Sequence, residues 1–142
     1  MLTVNSAGGA FPKSSRLLRH ADFQRVYQTG RRQFTGNMTV FFLRRAESDD
    51  DSGSSLRVGL TVGKVLGGAV DRNRIKRRMR EAVRTSWPTQ PAPIDVVFNP
   101  RKSVLNLPFA DVAQEVARGL QLAVERAREA QAGQSAKRGK RK

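Results

Sequence analysis

Cysteine is absent from the 142 residues and histidine occurs once, at His20. Disulfide stapling and thiolate metal sites are thereby excluded, as is any metal motif that needs two imidazoles. A Ser-His-Asp site would have to use His20 itself, and no nucleophile motif surrounds it. No apolar run reaches the roughly 18 residues a membrane-spanning helix needs. Met1 to Ala10 has neither the basic flank nor the apolar stretch of a secretory signal. The lack of cysteine fits a reducing cytoplasm, the compartment expected here, with no membrane contact. Acidic residues are also few: 12 Asp and Glu stand against 27 Lys and Arg, a net charge of +15. That surplus points to a polyanionic partner, because each neutralised phosphate releases a condensed counterion and adds salt-sensitive affinity.

The length suits one domain with loose ends. Residues 1–13 read as a flexible segment, residues 14–131 as the folded domain, and residues 132–142 as a basic, disordered tail. Leu17, Leu18, Phe23, Val26 and Tyr27 fall at helical spacing, and Gly30 is a natural stop. Arg31 to Arg45 reads as strand, with Gly36-Asn37 a tight turn or a bulge within it. Ala46 to Ser55 is a polar loop. Its carboxylates at Asp49, Asp50 and Asp51 diverge at successive positions and lack a calcium-loop spacing, so no metal site is expected there. Leu56, Val58, Leu60 and Val62 alternate as a half-buried strand. A Gly67-Gly68 bend precedes a basic helix that ends before Pro88, and Ile94 to Phe98 is a short apolar strand closed by Asn99-Pro100. Asn106 is the expected N-cap, with Pro108 in the first turn, of a long helix reaching about Gln131. Val112, Val116, Leu120 and Val124 recur every four residues, with Phe109, Ala113 and Ala123 beside them, as a core-facing stripe. The strand–helix–strand unit flanked by helices points to an α+β layer, one small sheet covered on one face.

The helix from about Arg72 to Arg84 carries the charge. At 100° per residue, Ile75, Met79, Ala82 and Val83 share one side and should pack on the sheet. Asn73, Arg77, Arg80 and Arg84 fall opposite, with Lys76, Arg74 and Arg78 on the flanks. Glu81 is the only acid from Arg72 to Arg84. A solvated helix gains from mixed-sign pairs one turn apart, and this one forgoes them, a cost that a bound polyanion removes. Arginine outnumbers lysine, which favours bidentate phosphate contact and stacking. Charge pattern alone does not separate DNA from RNA.

The run Val58-Gly59-Leu60-Thr61-Val62-Gly63-Lys64, followed by Ala69-Val70-Asp71-Arg72-Asn73-Arg74-Ile75-Lys76-Arg77, closely resembles the protein subunit of bacterial ribonuclease P. Asp22 to Tyr27 looks like that family's first helix, and Asp95 to Phe98 with Arg101-Lys102 looks like its last strand and exit, so the resemblance spans roughly Ser15 to Ala130. It implies a two-layer α/β sandwich with a four-stranded mixed sheet, in αβββαβα order, and an unusual left-handed β-α-β crossover. It also implies a non-catalytic subunit of an endoribonuclease that removes the 5′ leader of precursor tRNA. The catalytic centre and its Mg²⁺ would lie in a large RNA, with no cofactor or metal on the protein and no obligate protein partner. Carried onto this chain, Lys64, Arg72, Asn73, Arg74, Lys76 and Arg77 are expected to contact ribonuclease P RNA, with Arg80 and Arg84 continuing the same face. Phe23 and Tyr27 match the aromatic cleft for the unpaired leader, where stacking on bases is chemically sensible. Arg101 and Lys102 are a possible rim. Val65 departs from the pattern, standing where many members carry a second lysine.

Two rival classes are a ribosomal-type structural RNA binder and a DNA-binding regulator. The second is disfavoured, because helix–turn–helix proteins pair two helices across a short turn and here a strand precedes the basic helix. A self-sufficient nuclease is disfavoured by the lack of a carboxylate cluster suited to two metals.

Overall fold

The computed structural model describes residue 16 and residues 19–45, 56–88 and 93–137, with side chains as far as residue 129. The Asp49 to Asp51 loop, residues 1–13 and the end of the tail lie outside the described residues. Helix α1 (His20–Thr29) stops at Gly30. A Cβ there would sit 2.5 Å from the carbonyl oxygens of both Val26 and Phe42, so only glycine lets the chain pass directly from helix to sheet. Strands β1 (Arg31–Phe34) and β2 (Met38–Arg44) pair antiparallel with Phe34 opposite Thr39. Gly36, at φ +107°, supplies the left-handed residue of the connection, which is a hairpin turn and not a bulge. Strand β3 (Arg57–Leu60) leads through a 3-10 turn at Lys64–Leu66 into α2 (Ala69–Thr85). Strand β4 (Ile94–Pro100) leads through a 3-10 segment at Lys102–Asn106 into α3 (Phe109–Lys137).

The sheet order is β1-β2-β4-β3, with β4 antiparallel to β2 and parallel to β3. One face carries Met38, Val40, Phe42, Val58, Ile94, Val96 and Phe98, packed against Ile75, Met79, Ala82 and Val83 of α2 and the Val112, Val116, Leu120, Val124 stripe of α3. The alternate positions Phe41, Leu43 and Val97 face the other way, where Phe23 and Val26 of α1 cover them. Strand β4 is therefore sandwiched between helices, which is why it reads as a continuous apolar run. The expectation of one covered face holds for α2 and α3; α1 adds partial cover on the second.

The hand of the crossover follows from one hydrogen bond. With the α2/α3 face toward the observer and β4 running upward, an L-residue whose side chain points at the observer sends its carbonyl to the right. Phe98 is such a residue, and its carbonyl accepts from the Thr61 N–H at 3.0 Å, so β3 lies to the right of β4. The chain leaves β3, passes through α2 on the observer's side and enters β4 to the left. That is a left-handed crossover, against the strong general preference for the right-handed one.

Three local expectations need correction. Asn106 does not cap α3: it closes the 3-10 segment, and the helix starts beyond Pro108, whose carbonyl accepts from Asp111 at 3.0 Å and Val112 at 3.3 Å. Phe109 is exposed and stands off the buried stripe. The helix also passes Gln131 and continues to Lys137, into the stretch read as tail.

Candidate nucleic-acid interface

Helix α2 begins three residues before Arg72, after Gly67 at φ +130°. Its packing face is as the periodicity predicts, with Ile75, Met79, Ala82 and Val83 all buried. Asn73, Arg74, Arg77 and Arg80 are exposed, and Arg72 and Lys76 are half-buried at the margins. Arg72 donates from Nε to the Gly67 carbonyl at 3.2 Å, which ties the side chain to the bend before the helix. Two arginines depart from a uniform basic face. Arg78 turns inward and donates to the Leu107 carbonyl, so it anchors α2 to the segment before α3. Arg84 pairs with Glu81, and hydrogen bonding to that carboxylate raises its pKa further above its ordinary value. Lys64 is exposed on the 3-10 turn that links β3 to this helix.

The second surface lies on the opposite side of the sheet. Tyr27, 36% exposed at the last turn of α1, shares a 2.6 Å hydrogen bond with the Thr61 hydroxyl and donates to Asn99 Oδ1 at 3.1 Å. Its ring meets Phe41 edge-on with centroids 4.8 Å apart. The phenol thus bridges the ends of β3 and β4 while the residue stays partly exposed. Phe23 is half-buried and packs toward Val26 and Val97, deeper than Tyr27. The other end of α1 is fastened by charge. Asp22 binds Arg25 at 2.6 Å and lies 3.8 Å from Arg57, whose fork grips the fully buried Asp95 at 2.8 and 2.9 Å; Arg45 adds a third contact to Asp95 at 2.7 Å.

Arg101 and Lys102 are both exposed just beyond β4. Arg101 stacks on Phe34, with its guanidinium carbon 4.9 Å from the ring centroid. Phe34, Phe41, Thr61 and Asn99 are the site residues that sequence reasoning missed. Strand alternation could have placed Phe34 and Phe41 on one face had the hairpin register between them been known. The polar pair Thr61 and Asn99 carries no pattern of its own. Among the described residues no group of three or more His, Cys, Asp or Glu side chains forms a metal-binding cluster, and no helix is long and apolar enough to cross a membrane.

Comparisons with known proteins bear on the family and the fold. The sequence model of the family described as Ribonuclease P matches residues 11–124. The ribonuclease P protein component of Symbiobacterium thermophilum is 38% identical over 104 residues, covering 73% of this chain and 86% of that protein. That of Paramagnetospirillum magneticum is 38% identical over 102 residues, covering 71% and 76%. Among solved structures, the Staphylococcus aureus ribonuclease P protein superposes with a TM-score of 0.64 at 28% identity, covering 78% of this chain and 96% of that one. The Thermotoga maritima protein gives 0.62 at 26% identity, covering 74% and 94%. A family model that spans most of the chain, relatives aligned over three quarters or more of their length and the same fold leave one conclusion: the chain belongs to the ribonuclease P protein family.

Proposed function

We propose that this ribonuclease P protein grips the catalytic RNA with the exposed face of α2 and takes the unpaired 5′ leader of precursor tRNA across the α1 side of the sheet. The observation that carries the reading is the separation of two chemically different surfaces on one small domain. The α2 face presents Asn73, Arg74, Arg77 and Arg80 to solvent with Glu81 drawn off to Arg84. That suits the closely spaced phosphates of a folded RNA. The Tyr27 cleft is aromatic and hydroxyl-lined, which suits bases that are free to stack. In this reading the chain is non-catalytic, and Mg²⁺ is held in the RNA subunit in the cytoplasm. Its own contribution is to screen phosphate repulsion and to orient the leader, and no further protein is required.

Reconstitution tests it. A bacterial ribonuclease P RNA and a precursor tRNA are assayed at low Mg²⁺ with and without the protein. Faster cleavage is expected with it; cleavage held at the RNA-only rate refutes the proposal. Charge reversal at Arg72 and Arg74 should weaken assembly with the catalytic RNA. Tyr27→Ala should instead reduce the preference for substrates that carry a leader, and an equal loss on mature tRNA would count against the cleft.

A further inference from the structure

The α1-side face of the sheet does not end at Tyr27. At the level where the phenol meets Thr61 and Asn99, the strand register continues across the sheet: Asn99 lies opposite Thr39, and Thr39 lies opposite Phe34. Helix α1 covers Phe41, Leu43 and Val97, one pleat back along the strands, and reaches this row at Asn99 through Tyr27. Phe34 closes the row at 58% exposure, the most exposed aromatic ring among the described residues. A ring kept for packing would be expected inside. This one is instead backed by a cation, since Arg101, two residues past Asn99 and so on the same face, lies 4.9 Å from its centroid. Arg32, two residues before Phe34, is exposed on that face as well, and Lys102 is exposed beside Arg101.

The backbone that carries the pair is also held in place. The Arg101 N–H donates to the Asn37 carbonyl at 2.9 Å, and the Ser103 hydroxyl donates to Asn37 Oδ1 at 2.6 Å. The hairpin turn that follows Phe34 is tied to α3 by Glu115, which accepts from the Thr35 hydroxyl at 2.6 Å and the Asn37 N–H at 2.8 Å. Backbone fixed this way leaves less freedom to lose when a flat ligand settles on the ring and the guanidinium it carries.

We propose that Phe34 and Arg101 form a second stacking platform, which takes an unpaired nucleobase of the same RNA strand after it has crossed the Tyr27 cleft. The proposal rests on the reading of that cleft as the leader-binding surface. Stacking on a π-face tolerates any base, so the platform would add affinity and reach without strict sequence preference. Arg32 and Lys102 flank it as phosphate contacts. From Asn99 to Phe34 are two inter-strand steps, about 10 Å at ~4.8 Å each. About three nucleotides span that distance at a stacked rise of ~3.4 Å.

The test uses the reconstituted holoenzyme and precursor tRNAs whose leaders are shortened one nucleotide at a time, with equilibrium affinity measured for the wild-type protein, Tyr27→Ala, Phe34→Ala and Phe34→Leu. Phe34→Ala and Phe34→Leu are each expected to weaken binding about fivefold or more. Their penalty should begin about three nucleotides beyond the length at which the Tyr27→Ala penalty begins. Because the side chain is exposed, unchanged thermal melts are expected for both variants. Wild-type affinity for Phe34→Leu would show an apolar contact without stacking and overturn the proposal. So would a Phe34→Ala penalty that is absent at every length, starts together with that of Tyr27→Ala, or is already present without a leader. If Tyr27→Ala itself shows no dependence on the leader, the cleft reading falls, and this failure is distinguishable from loss of the platform alone.

Discussion

Replacing Glu115 by alanine should unlatch the β1–β2 turn and cost a measurable share of the fold's stability. The Glu115 carboxylate is buried on α3 and accepts three hydrogen bonds from a turn nearly eighty residues earlier in the chain: Thr35 Oγ1 at 2.6 Å, the Asn37 N–H at 2.8 Å and Asn37 Nδ2 at 3.0 Å. Hydrogen bonds to a charged partner contribute about 1.5–3 kcal/mol each when deleted singly. All three converge on one turn, so they are not independent, and Gly36 beside them is exposed and lets water in. A loss of about 2–4 kcal/mol is therefore expected for Glu115→Ala, against a total stability of roughly 5–15 kcal/mol for a domain. At ~3–5 °C per kcal/mol, between the values for smaller and larger domains, the melting midpoint should fall by about 6–20 °C.

Glu115→Gln separates charge from shape. The Gln oxygen can take the place of the carboxylate oxygen that meets Thr35 and the Asn37 N–H. Its NH₂ would then face Asn37 Nδ2, a clash of donors that a flip of the Asn37 amide relieves, because the Ser103 hydroxyl can accept where it now donates. Less than half of the alanine penalty is expected for Gln. Urea unfolding followed by circular dichroism reads the global loss, and amide exchange at Thr35 to Met38 reads the local one. An alanine variant within about 0.5 kcal/mol of wild type, the ordinary range of a neutral surface change, would sink the latch argument.

Gly30→Ala forces a Cβ to 2.5 Å from two backbone oxygens, and since backbone yields less readily than side chains, about 2–3 kcal/mol should be lost; an unchanged urea midpoint would show that α1 can shift freely. Arg74→Ala, Arg77→Ala and Arg80→Ala should each reduce the slope of log affinity for the catalytic RNA against log salt by about 0.7–0.9, whereas Arg78→Met should leave the slope unaltered because Arg78 is spent on the Leu107 carbonyl. Glu81→Gln should do the reverse and steepen that slope by a similar ~0.7–0.9, by releasing Arg84 to a phosphate. The raised pKa of Arg84 contributes stability below its unfolded value and loses it only at extreme alkaline pH, so Glu81→Gln should not make stability depend on pH near neutrality.

How much of this was legible in the sequence depends on the range over which each feature is determined. The division of α2 into a packing face and a basic face needs only helical periodicity, and Ile75, Met79, Ala82 and Val83 are buried as that predicts. Arg78 shows where periodicity stops: its inward bond to Leu107, 29 positions away, depends on where the 3-10 segment comes to rest. Asn106 misled for a different reason. It is a good cap by residue type, but Lys102–Asn106 closes on itself as a 3-10 segment, and Pro108 opens α3 instead. The sheet side of the cleft was the least legible part, because Tyr27 finds its partners 34 and 72 positions away at two strand exits.

Those exits explain why the two proposed surfaces adjoin. Strands β3 and β4 run parallel, so both leave the sheet at the same edge. Thr61 and Lys64 follow one strand; Asn99 ends the other, and Arg101 and Lys102 follow it, while α2 opens from that same edge with Arg72-Asn73-Arg74 in its first turns. A left-handed crossover of β3 and β4 through α2 keeps that helix on the face opposite α1. The basic helix therefore starts beside the proposed leader cleft yet points away from it. The proposed division of labour, one RNA held while another is presented, rests on that relation, which resides in the direction of two strands and the hand of one connection, neither of which residue composition can report.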